Sequence, residues 1–114
     1  MTSEETTIPA VGVRSLDEVF GAIESANCRP QPWTGFEHAV LGAYRWAAGA
    51  QVSAPVTAAA AVGAVGPCRA QLLAECQAAE VRLRHALDAG TDAVSALGAY
   101  QALAWLCGHH DDRP

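Results

Sequence analysis

The residues best equipped for chemistry lie near the C-terminus, where Cys107, His109, His110, Asp111 and Asp112 fall within six positions. Thiolate, imidazole and carboxylate are all zinc ligands, and a helix end can bend to bring three such groups together. The paired Cys-x-x-Cys or His-x-x-x-His elements of structural zinc sites are missing. A metal set drawn from Cys107, His109, His110 and Asp111 therefore competes with a plain solvated tail.

Cys68 and Cys76 offer redox chemistry. Cys68 falls in the expected first turn of a helix beside Arg69, where free backbone amides favour a thiolate. It also continues an apolar stripe through Leu72 and Cys76, and a free cysteine packs as a small hydrophobe. The two cysteines are two turns apart, about 12 Å along a helix, too far for a disulfide between them. Any bridge must join different elements. With Cys28, the four cysteines lack the dense spacing of a secreted disulfide scaffold and point to reduced thiols in a cytoplasmic protein. The N-terminal stretch around Glu4 and Glu5 has neither the basic nor the apolar region of a secretory signal.

Acid–base pairs are weaker candidates. Glu37, next to His38, fits a helix cap, and His85, near Glu80, suits a helix C-terminus. The chain contains seven arginines and no lysine, which excludes a P-loop ammonium and a Schiff-base or pyridoxal phosphate lysine. Nucleophile-elbow, zincin and dinucleotide-binding motifs are missing too, so a non-enzymatic protein without a cofactor is expected.

Binding to another macromolecule has better raw material. Trp33, Trp46 and Trp105, with Tyr44 and Tyr100, would anchor a partner if exposed and would be core if packed together. Twelve acids against seven arginines give a net charge of −5. Without a cationic cluster this argues against nucleic acid, for which Arg69, Arg82 and Arg84 are the available contacts.

These side chains must be carried by helices. Residues 1–14 are polar and without period and read as a flexible leader. Ser15 and Glu18 make a capping box for a first helix with Leu16, Val19, Phe20 and Ile23 on one face, ending near Asn27 before Pro30 and Pro32. Thr34 and Glu37 repeat the device for a second helix reaching Gly49, apolar round much of its girth and hence the expected core helix.

From Trp46 to Cys68 the 23 residues carry no charge. The length would span a bilayer, but Gln51, Ser53, Pro55 and Thr57 and the scarcity of bulky apolar residues argue against it. A short helix is expected within Val52–Val65. Pro67 opens a long helix striped by Cys68, Leu72, Cys76, Ala79, Leu83 and Ala86 and ended by Gly90, a stripe that suits a helical partner or a second copy. Thr91 or Asp92 opens the last helix, which runs through Cys107 to Gly108, and residues 109–114 form a free tail. The tetrapeptide Leu-Gly-Ala-Tyr occurs at 41–44 and again at 97–100, a coincidence favoured by the abundance of Ala and Gly.

The sequence thus specifies a single all-α bundle of four or five helices over residues 15–108. The role that suits it best is a small acidic protein-interaction module, of the kind used by phages and mobile elements to inhibit or modulate a host machine. The alternatives are a thiol- or metal-responsive sensor built on Cys68, Cys76, Cys107 and the C-terminal cluster, and a nucleic-acid-associated regulator.

Overall fold

Helix starts are set locally, by side chains that satisfy the free amides of the first turn. Ser15 Oγ accepts from the Glu18 amide while the Glu18 carboxylate accepts from the Ser15 amide at 3.0 Å, opening α1 (Leu16–Asn27). Thr34 and Glu37 do the same for α2 (Gly35–Ala47). The computed structural model describes residues 10–11, 13–58, 60, 67–91 and 93–114. Within these, α3 (Arg69–Ala89) and α4 (Val94–Cys107) complete an all-α bundle of four helices. Both end on a left-handed glycine, Gly90 at φ 69° and Gly108 at φ 82°, a conformation that costs glycine no Cβ clash.

No fifth helix forms among the described residues of the Val52–Val65 stretch. Ser53 and Ala60 make an isolated antiparallel bridge, and Ala58 takes a positive φ of 62°. The turn is held from outside by Glu75 of α3, whose carboxylate accepts from the amides of Val56 and Thr57 and from Thr57 Oγ1 at 2.7 Å. A buried carboxylate with several donors outweighs the helix propensity of a few alanines.

The layer order also differs from expectation. α4, rather than α2, is the central helix: it lies between α2 and α3, while α1 rests on α2. Val94–Cys107 carries no charge, and its residues from Ala102 to Cys107 are all buried. A helix apolar on every side gains most by being surrounded.

Both ends of the chain are tied to the bundle where they are described. Of the expected leader, residues 1–9 and 12 lie outside the described residues. The remainder forms a short antiparallel ladder, β1 (Ala10–Val11) with β2 (Arg14–Ser15). Val13 N–H donates to Leu106 O, Arg14 Nε donates to Trp105 O at 2.8 Å, and the guanidinium lies 4.6 Å from the Trp105 ring centre. The C-terminal tail is likewise docked, contrary to expectation. His110 O accepts from Arg14 and Pro114 O from Arg29, while Arg113 reaches Ser25. Long-range guanidinium partners fix a tail whose own composition would leave it free.

Candidate functional site

The seam between α3 and α4 gathers the residues best equipped for chemistry. α3 turns Leu72, Glu75, Cys76 and Ala79 inward, one face of a helix at steps of three and four. The C-terminal turn of α4 brings Cys107 against that face. Gly108 then reverses the chain, and the His109 amide donates back to Ala104 O at 2.8 Å, which fixes His109 over the helix end. As a result Cys76 Sγ, Cys107 Sγ and a His109 ring nitrogen all lie within 4.8 Å of one another.

The two thiols differ in access from the imidazole. Cys76 is 4% exposed and Cys107 9%, whereas His109 is at the surface. The Cys76 thiol hydrogen-bonds to Cys107. Donating that bond, with burial, pushes Cys76 above the usual thiol range. Accepting it pulls Cys107 below that range against the effect of burial, with help from the nearby Arg69 charge. The two thiols therefore titrate apart, Cys107 before Cys76. A cavity of about 310 Å³ opens onto the site, bounded by Leu73, Cys76, Gln77, Glu80, Tyr100 and His109. Glu80, one turn beyond Cys76, is held by Arg84 at 2.8 Å.

The residues named from sequence as a metal set are only partly brought together. Cys107 and His109 converge, but their companion is Cys76 from the other helix. His110 turns its ring against the edge of Tyr100, 6.0 Å between centres, and Asp111 stands in solvent 4.0 Å from Arg14. Asp112 is exposed as well. Once Gly108 has reversed the chain, successive tail residues point in different directions. Of the two redox candidates, Cys68 is exposed at the N-cap of α3 and takes no part in the cluster, whereas Cys76 meets Cys107 from a different helix.

The aromatic residues mostly prove to be core. Tyr44, Trp46 and Trp105 are buried, and Tyr44 and Trp105 meet edge to face at 5.8 Å. Burial of the Tyr44 hydroxyl pushes it up to about 12. Tyr44 Oη and Trp46 Nε1 find no hydrogen-bond partner among the described residues. Trp33 is half-buried, its Nε1 donating to Arg29 O and its ring against His38, and Tyr100 is half-buried in the cavity wall.

Arg82 donates to Val56 O and Arg84 pairs with Glu80, so the long helix presents no free run of cations among its arginines. Among the described residues no helix is long and apolar enough to cross a membrane.

Two features escaped the sequence reading. Glu75, the buried carboxylate that holds the 53–58 turn, sits inside the α3 stripe between Leu72 and Cys76, and a charge within an apolar face was its available signal. The Cys76–Cys107 meeting was signalled by a cysteine on the inward stripe of each helix. No protein-family model, curated protein or solved structure matches the chain.

Proposed function

We propose that this protein is a small non-enzymatic regulatory module whose state is set by the paired thiols of Cys76 and Cys107. The observation that carries this reading is the convergence of the two sulfur atoms, from different helices, beside His109 and a cavity. Linking these positions covalently would staple α3 to α4. With oxidised glutathione as acceptor, one thiolate forms a mixed disulfide and releases one glutathione. The second thiolate then displaces the other, giving an internal disulfide and two reduced glutathiones.

The test is incubation of the reduced protein with oxidised glutathione, followed by peptide mapping and thermal melting. A Cys76–Cys107 bridge that raises the melting temperature supports the reading, since closing a loop of about 30 residues stabilises by roughly 3–4 kcal/mol. Thiols that stay reduced, or bridge only through Cys28 and Cys68, refute it.

A second reading, a protein-interaction module, is favoured by one observation: Leu73, Val81 and Leu87 are exposed on α3. Under it the partner docks on that helix, and Leu87→Glu abolishes co-purification of a partner that the unmodified protein retains.

A further inference from the structure

We infer that Cys76, Cys107 and His109 form a binding site for a thiophilic divalent cation such as zinc. The inference rests on the reading of this thiol pair as the responsive element and names its ligand.

The donor set selects the class of ion. Two sulfurs and an imidazole suit zinc, cobalt and cadmium and disfavour magnesium and calcium, which take oxygen ligands. The geometry is close to what tetrahedral zinc requires. Bonds of about 2.3 Å to sulfur and 2.0–2.1 Å to nitrogen place ligand atoms about 3.5–3.8 Å apart. The three atoms here already lie within 4.8 Å of one another, so side-chain rotation need contract the triangle by at most about an ångström. Two ligands stand on helices and the third is fixed by its backbone bond to Ala104 at the α4 terminus. Much of the ordering cost is therefore met by the fold itself.

Charge favours the ion as well. Binding displaces one proton from each thiol to solvent, and two thiolates with a neutral imidazole cancel a divalent charge at a half-buried position. The cavity bounded by Glu80 and Tyr100 supplies a path for entry and leaves the fourth position to solvent. Three protein ligands with one open position set such a site apart from the closed four-ligand structural sites.

The experiment is titration of the reduced 114-residue chain with cobalt(II), followed by displacement with zinc. The expected result is one equivalent of cobalt showing thiolate-to-cobalt charge transfer and tetrahedral visible bands, both lost on adding zinc. Cys76→Ser and Cys107→Ser should each remove at least half of the charge-transfer intensity. His109→Ala alters an exposed residue that the fold does not need, and it should weaken cobalt binding at least about tenfold. The Cys28→Ser/Cys68→Ser double variant should bind as the parent does.

A missing cobalt spectrum overturns the proposal, as does binding that survives His109→Ala unchanged or that vanishes in the Cys28→Ser/Cys68→Ser protein. The glutathione experiment separates the two levels. A Cys76–Cys107 disulfide without a cobalt spectrum refutes the ion and leaves the thiol-responsive reading intact; failure of both removes both.

Discussion

The same four residues, Leu-Gly-Ala-Tyr, occur in α2 at 41–44 and in α4 at 97–100, and the fold uses them in opposite ways. Leu41 is 2% exposed, whereas Leu97 is 36% exposed. Gly42 has open space where a side chain would begin. At Gly98 a Cβ would stand 2.5 Å from the Phe36 carbonyl oxygen, so α2 and α4 touch backbone to backbone there. Tyr44 is sealed in the core with no hydrogen-bond partner for its hydroxyl among the described residues, while Tyr100 lines the cavity beside Cys76 and His109. Local sequence is constant between the two sites and surroundings are not. The role of each residue is therefore a property of what packs against its helix.

Truncation of the leucines should separate the sites most widely. Leu41→Ala is expected to cost about 3 kcal/mol by leaving a cavity, and Leu97→Ala at most about 0.5 kcal/mol, both read by denaturant unfolding. Equal losses would mean that the copies are equivalent. The glycines should differ in sign. Gly98→Ala must push α2 and α4 apart at a backbone contact and should cost about 2 kcal/mol, whereas Gly42→Ala should stabilise by about 0.5–1 kcal/mol through helix propensity.

The tyrosines differ in their response to base. Tyr44 ionises near 12 in the folded protein against 10 unfolded. Its contribution is complete below pH 10 and is lost as pH rises towards 12, at up to about 1.4 kcal/mol per pH unit. Tyr44→Phe should flatten that alkaline decline and, by removing an unpaired buried hydroxyl, should not destabilise the protein at neutral pH. Tyr100→Phe should leave most of the decline in place.

The smallest effect concerns the capping boxes, outside the repeat. Hydrogen bonds from the Ser15 and Thr34 amides hold Glu18 and Glu37 below the usual carboxylate range. Their contribution is present above the ordinary value of 4.5 and fades as pH falls through the lowered one. Thr34→Ala should cost about 1 kcal/mol at neutral pH and should shallow the acid limb of the stability profile.

The thiol site shows the reach and limit of pattern in the same way. Cys76 and Cys107 stand on inward faces that periodicity reveals, and Gly108 marks the turn that sets His109 back over the helix. Which faces meet is a matter of packing. Proximity in sequence suggested His110 and Asp111 as companions of Cys107, but a chain reversed at a left-handed glycine sends consecutive side chains apart. Glu75 and the 53–58 turn belong together for a similar reason, across about 20 residues of chain.

Helix caps, glycine stops and the all-α class are written in the order of the residues, because they depend on interactions over one or two turns. The central place of α4, the docking of both described ends and the meeting of Cys76, Cys107 and His109 depend on contacts between residues far apart in the chain. Those contacts are chosen by shape and burial over the whole core. Small residues such as Gly98 permit that choice without announcing it, since the same Leu-Gly-Ala-Tyr serves equally well in α2, where a Cβ at Gly42 would meet nothing within 4 Å.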